Sequence, residues 1–367
     1  METETAYWLA WSQIKGIGPI SIERLQQHFS SLKTAWQASV GELGEVEGFG
    51  GKLIESVREA RSKIDPATLL AKHQQENPLF WTPAAAEYPR LLQEIPSPPP
   101  LLYYLGTPNS EENRGITPLI GIVGTRSPSE YGKRWTHKIT TSLVQHGFGI
   151  VSGMAAGIDT VAHTSCLAAG GRTIAVLGTG VDIIYPHSNR QLYREISDRG
   201  LIVSEYPAKT QPERGNFPAR NRIIAGLCRA IIIMEAPIKS GALITARFAN
   251  DFCRDVYVLP GSLDNQNAYG CLELLSRGAQ VILSPEHLLE MLGTMPQLDL
   301  PKTNITLPDN LPTELVTILQ TISPEAVALD TIAQTTGFDA GKLLAALSEL
   351  ELMGLISQLP GMRYQKN

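Results

Sequence analysis

Between residues 117 and 283 one unit recurs. A short run of Ile, Val, Leu and Ala is followed by a turn of Gly, Ser, Thr or Arg, and then by a stretch with helical spacing. The runs fall at 119–123, 149–151, 173–177, 201–204, 230–234, 256–259 and 280–283. They are apolar throughout instead of alternating, as strands covered on both faces are. Strands and helices in alternation build a mostly parallel, doubly wound sheet. An α/β fold of this kind is the expectation for residues 65–300.

The flanks read differently. Residues 1–64 are helical patterns joined by glycine turns, a small all-α N-terminal domain. Two turns repeat, Lys15-Gly16-Ile17-Gly18-Pro19 and Glu47-Gly48-Phe49-Gly50-Gly51, and each leads into helical spacing, at 20–29 and 52–60. Paired turns of this form resemble tandem helix-hairpin-helix modules, whose N–H groups can hold a DNA phosphate. The stretch is net acidic, which favours a scaffold that uses glycine to turn sharply. The Pro-rich stretch 95–101 cannot be helix interior and reads as an extended lead-in. Residues 311–367 carry helical patterns at 312–322, 328–334 and 339–355, then a hairpin at 357–364 with Gly361 at its turn, after a linker at 301–310. Three helices and a β-wing are the outline of a winged-helix-like domain.

The 367 residues carry a net charge of −5. Taken whole, that argues against a nucleic-acid partner. Residues 115–290, however, hold seventeen bases against fourteen acids, net +3, while the remainder nets −8. The positive charge is concentrated in one domain. Cys166, Cys228, Cys253 and Cys271 are far apart, so they form neither a zinc pattern nor a disulfide framework and suit a reducing cytoplasm. The start, Met1-Glu2-Thr3-Glu4, is acidic where a signal peptide is basic. The apolar runs are too short to span a membrane.

Ligands of doubly wound sheets sit beyond the carboxyl ends of the strands, so the turns after the strands hold the candidate site. They contain Gly124, Thr125 and Arg126; Ser152 and Gly153; Gly178 and Gly180; Arg214, Gly215, Phe217, Arg220, Asn221 and Arg222; and Ser240 and Gly241. Glycine lets backbone N–H groups approach an anion, and a helix N-terminus adds positive potential. Ser152-Gly153 and Ser240-Gly241 stand where helices should begin. Several such turns together point to a phosphate-bearing ligand. The dinucleotide fingerprint is absent, because Ile183 stands where its third glycine belongs, and no P-loop is present.

Arg126, Arg214, Arg220 and Arg222 with Phe217 suit a single-stranded nucleic acid, which needs cations for phosphates and an aromatic face for bases. Phe217 before Pro218 reads as held on a stiff loop. Asn221 either orients the arginines or donates to a phosphate. Asp159 and His163 lie four apart and read as a helix cap and a packed neighbour. No nucleophile with a neighbouring base and no metal motif is found, so no catalytic residue, metal or cofactor is assigned. The alternative is a Rossmann-like enzyme acting on a nucleotide monophosphate or phosphoribosyl substrate, with Glu205 or Glu235 as base.

Taken in order, Gly124-Thr125-Arg126, the segment 152–159, Tyr185-Pro186, Ser204 to Pro207, Phe217 to Ile224, Ser240 to Thr245 and Leu259-Pro260-Gly261 resemble the DprA/Smf family of DNA-processing proteins. The resemblance spans the middle domain, and both flanks match the family's surroundings. It implies an extended Rossmann-like domain that binds single-stranded DNA and is not an enzyme. It implies homodimerisation through that domain, and a role in natural transformation in which incoming strands are protected and handed to RecA. It places DNA contacts at Arg126, Arg214, Gly215 and Phe217, with Arg214 where lysine is common. The third helix of the C-terminal block offers Lys342 against Asp339, Glu349 and Glu351. Since phosphate contact dominates DNA affinity, this block is expected mainly to contact protein.

Overall fold

The apolar runs become strands of one sheet in the computed structural model, which describes residues 2–293, 312–322, 327–353, 355–359 and 362–366. Nine strands are involved: β1 Phe80–Trp81, β2 Leu102–Gly106, β3 Leu119–Val123, β4 Gly149–Ser152, β5 Thr173–Val176, β6 Leu201–Ser204, β7 Ala230–Ile233, β8 Asp255–Val258 and β9 Gln280–Val281. Their order is β1-β2-β6-β5-β4-β3-β7-β8-β9. From β6 to β9 all neighbours are parallel. The seven expected strands are present. Each of β3 to β7 is buried along its whole length, which accounts for the unbroken apolar runs.

β1 and β2 extend the sheet in the antiparallel sense, with Tyr103 opposite Ser204 and Phe80 opposite Tyr103. The sequence reading has only a lead-in here. The proline run ends at Pro100, and β2 then finds a partner in β6, a strand about a hundred residues away.

Helices cover both faces. Glu130–Gln145, Ile158–Ala168 and Pro285–Gly293 pack over Ile120, Ile122 and Ile150 on one face. Asn216–Leu227, Ala242–Asp251 and Tyr269–Ser276 pack over Val123, Val151, Ile231 and Ile233 on the other. The helix after β3 and the helix after β7 therefore leave adjacent strands on opposite sides. That divergence opens a crevice above the carboxyl ends of β3 and β7.

The N-terminal residues form six helices from Glu2–Ser12 to Pro66–Glu76. Gly16 and Gly48, at φ +91° and +88°, make the two repeated turns, a conformation that glycine adopts without steric cost. Ile17 and Phe49, one residue on, are buried in the helical core. Helical structure continues past residue 64, because Leu70 of Pro66–Glu76 closes with Ala6 and Leu9 on Leu101 and Tyr103. Residues 1–298 accordingly make one compact unit, and 299–367 a second.

The second unit has helices Thr313–Thr321, Leu329–Thr336 and Ala340–Leu352. A three-stranded sheet joins them: β10 Val327–Ala328, β11 Ile356–Leu359 and β12 Arg363–Lys366, with β12 in the middle. Leu315, Leu319, Leu343, Leu347, Ile356 and Tyr364 fill its core. This is the expected winged-helix outline; the expected turn at Gly361 and the linker 301–310 lie outside the described residues.

Candidate nucleic-acid interface

A cavity of about 530 Å³ occupies the crevice. Nine of the thirteen predicted residues line it: Gly124, Thr125, Arg126, Arg214, Phe217, Arg220, Asn221, Ser240 and Gly241. Ser152, Gly153, Gly215 and Arg222 do not.

The turn after β3 is fixed first. Thr125 donates its N–H to the Glu235 carbonyl at 2.7 Å, and its own carbonyl accepts from Ile158 N–H at 3.1 Å. Gly157, at φ +85°, lies so close that a Cβ would stand 2.4 Å from the Thr125 carbonyl oxygen. Held this way, the Arg126 side chain projects into solvent at the cavity rim.

Phe217 comes from the other side. It lies in the first turn of Asn216–Leu227, not on a loop as the sequence reading has it, because Pro218 is tolerated in a helix's first turn. Its half-buried ring rests over Gly178, where a Cβ would be 3.0 Å from Cδ1. Tyr185 lies beside it, ring centroids 5.4 Å apart, and the Arg126 guanidinium is 5.8 Å from its centroid. Arg214 is exposed just before this helix. The result is an aromatic platform flanked by two solvent-facing cations.

Two helix starts face the same space. Asn216–Leu227 begins at Gly215 and Ala242–Asp251 at Gly241, and a glycine has no side chain with which to cap. Their leading N–H groups have local acceptors, Asn216 donating to the Glu213 carbonyl at 3.1 Å and Leu243 to the Ser240 carbonyl at 3.1 Å, so what the two starts add at the rim is the positive end of each helix dipole. Ser240 accepts from Ala242 N–H at 3.2 Å.

Arg220 and Arg222 are placed otherwise than expected. Arg220 is 5% exposed and donates to the carbonyls of Gly153, at 2.8 Å, and of Val176. It ties the ends of β4 and β5 together beneath the cavity, satisfying carbonyls that run out of ladder partners. Burial lowers its pKa to about 10, and raises that of neighbouring Asp159; desolvation outweighs their mutual attraction. Asn221 orients it, accepting from Arg220 Nε at 3.2 Å and donating to the Gly241 carbonyl at 3.1 Å. Arg222 points away and pairs with Glu205. From Arg220 to Leu227 every residue of the helix is buried, and Arg222 is enclosed with the rest.

Ser152 ends β4 instead of starting a helix, and its hydroxyl donates to the Ile122 carbonyl at 2.6 Å. The helix starts only at Ile158, with Gly157 as its cap residue. Asp159 is therefore not the cap itself; its carboxylate reaches back to the N–H groups of Gly153 and Ala155. Gly153 makes room for Arg220, whose Nη2 would stand 2.7 Å from a Cβ. Gly215 borders open space. His163 is fully buried, its Nδ1 2.7 Å from Thr173 Oγ1. Tyr185 is among the segments that carry the family resemblance but has no binding role from sequence; an aromatic after a strand-end glycine turn is the available signal. Among the described residues no group of three or more His, Cys, Asp or Glu could hold a metal, and no helix is long and apolar enough to cross a membrane.

Comparison with known proteins agrees with this geometry. The family model described as DNA recombination-mediator protein A matches residues 79–293, and that of the DprA winged helix domain matches 306–362. Protein Smf of Synechocystis is 54% identical, over 99% of each chain. DNA processing protein DprA of Streptococcus pneumoniae is 39% identical, over 68% of this chain and 86% of the relative. The X-ray structure of DprA from Streptococcus pneumoniae covers 78% of this chain and 97% of its own, with a TM-score of 0.68 and 35% identity. A structure of DNA processing protein A from Helicobacter pylori, solved to explain its single-stranded DNA binding mode, covers 56% of this chain and 92% of its own, with a TM-score of 0.51 and 35% identity. On its strand order, its strand-end crevice and these matches along both units, the chain belongs to the DprA/Smf family.

Proposed function

We propose that this protein binds single-stranded DNA in the strand-end cavity, without sequence preference, and acts in DNA processing. One observation carries the reading: Arg126 and Arg214, both exposed, line one cavity together with the Phe217 and Tyr185 rings and the start of the helix at Ala242. Cations for phosphates beside an aromatic face for bases are the parts a single strand needs. Arginine adds a fork that fits phosphate bidentately. The Helicobacter pylori relative's single-stranded DNA binding supports the reading.

The finer role we propose is that of a mediator: a cytoplasmic homodimer, paired through the Rossmann-like domain, that protects incoming single strands and loads RecA during natural transformation. The C-terminal unit then serves protein contact. The enzymatic alternative finds its two carboxylates occupied. Glu205 pairs with Arg222, and Glu235 accepts from Ser129 N–H at 2.8 Å and Ser129 hydroxyl at 2.6 Å.

Titration with labelled oligo-dT and with nucleotide monophosphates tests the reading. Oligonucleotide binding without turnover is expected; turnover of a monophosphate contradicts it. For the mediator role, the protein should speed RecA assembly on strands pre-coated with single-strand-binding protein, and no acceleration removes that role.

A further inference from the structure

A second cleft, of about 670 Å³, lies on the sheet face that carries Ala242–Asp251 and Tyr269–Ser276. Leu243 and Leu274 line it, together with four bases, Lys239, Arg247, Arg254 and Arg277, and two carboxylates, Asp255 and Glu273. Two of the bases have internal partners. Arg277 pairs with Glu273 at 2.6 Å, and Arg254 reaches Glu94 at 3.4 Å and the Leu91 carbonyl at 3.3 Å. Lys239 and Arg247 are exposed. Among the described residues neither has a carboxylate within ion-pair distance.

The cleft adjoins the cavity described above. Ser240 lines both, so only the segment 237–241 stands between them. Lys239 sits on that segment. Arg247 follows about 7–8 Å further along the helix that starts at Ala242, at 1.5 Å per residue. Cations placed one after the other along the chain from the edge of the first cavity suit a polyanion that has already passed through it.

We propose that this cleft receives the continuation of the single strand held in the cavity, with Lys239 and Arg247 meeting its phosphates. The proposal rests on the single-strand reading above and extends the binding path across the 237–241 segment. The cleft's lining holds no aromatic ring, so its exposed cations meet backbone and not bases, and this part of the path reads no sequence.

The test compares the unaltered chain with its K239E/R247E variant, using labelled oligo-dT of about 6 and about 24 nucleotides, one near the short end of single-strand site sizes and one beyond the long end. Both substitutions are at exposed positions outside the cavity, and thermal melting confirms folding. The variant should bind the short oligonucleotide within twofold of the unaltered chain and the long one at least tenfold more weakly. Its log–log salt slope with the long one should shrink by about 1.4, two phosphates' worth. Equal weakening at both lengths overturns the proposal, and so does unchanged binding of the long strand, which assigns the cleft to another acidic ligand. If the unaltered chain binds neither length, it is the underlying single-strand reading that fails.

Discussion

The guanidinium of Arg126 lies over the ring of Phe217, 5.8 Å from its centroid. The two residues are 91 positions apart and reach the same rim from the turn after β3 and from the helix after β6. If the ring is a platform for a base, Phe217→Ala should weaken oligo-dT binding by about 1–3 kcal/mol, and Phe217→Trp should retain most of the affinity. Equilibrium titration reads both. Unchanged affinity in a folded Phe217→Ala protein returns the ring to packing against Tyr185 and Gly178.

Arg222 should behave unlike Arg126. Its partner Glu205 is largely enclosed, its side chain 14% exposed, and desolvation pushes that carboxyl up against the lowering pull of the arginine. Removing one member of such a pair strands the other, at a cost of about 3–5 kcal/mol. Arg222→Ala is expected to lower urea-unfolding stability by that order while the folded fraction still binds DNA. A stable Arg222→Ala protein with lost DNA affinity would move Arg222 into the binding surface.

Two glycines separate space from charge. At Gly157 a Cβ would stand 2.4 Å from the Thr125 carbonyl and 2.7 Å from Arg126 Cα; at Gly215 it meets nothing within 4 Å. Gly157→Ala should displace the Arg126 turn, cutting both stability and oligo-dT affinity. Gly215→Ala should leave stability nearly unchanged, so an affinity loss there would come from the bound strand alone. Melting and titration of the two variants side by side check the contrast, and a silent Gly157→Ala contradicts it.

His163 sets a pH dependence of stability. Thr173 donates its hydroxyl to the Ile150 carbonyl at 2.8 Å, so it accepts from His163 Nδ1–H. Burial, and then the nearby Arg220 charge, depress the imidazole pKa from 6.5 to about 3. Between those values the unfolded chain takes up a proton that the folded chain refuses. Stability is therefore lost as pH falls, by about 3 kcal/mol from this group between pH 7 and pH 4. Asp159, Glu112 and Glu205, raised by burial, act in the opposite sense, so the comparison must be differential. His163→Asn keeps a donor towards Thr173 and cannot be protonated in this range. It should lose about 3 kcal/mol less than the unaltered chain on acidification, measured by urea unfolding; identical losses contradict the assignment.

The sheet was legible because strands buried on both faces write themselves as apolar runs, as in Ile120 to Val123 and Ile231 to Ile233. β1 and β2 were not, since two short segments become strands only when Tyr103 meets Ser204 and Phe80 meets Tyr103. Arg126, Arg214 and Phe217 are expected at the crevice from the turns they occupy, and they line it. Arg220 and Arg222 are expected from sequence as phosphate partners beside Arg126 and Arg214, and what keeps them inside is supplied from elsewhere: the carbonyls of Gly153 and Val176 for one, Glu205 for the other. A local hint exists for Arg220. It shares a helical face with Ile223, Ile224 and Leu227, all buried, and a lone cation on such a face satisfies internal acceptors more readily than it reaches a ligand.

The salt dependence of oligo-dT affinity tests the central claim most directly. A cavity rimmed by Arg126, Arg214 and two helix starts, extended by the second cleft, should engage four to six phosphates. That gives a log–log slope of roughly −3 to −4, the same for mixed-sequence strands as for oligo-dT. A flat salt response, or affinity that follows base sequence and not ionic strength, would contradict the account.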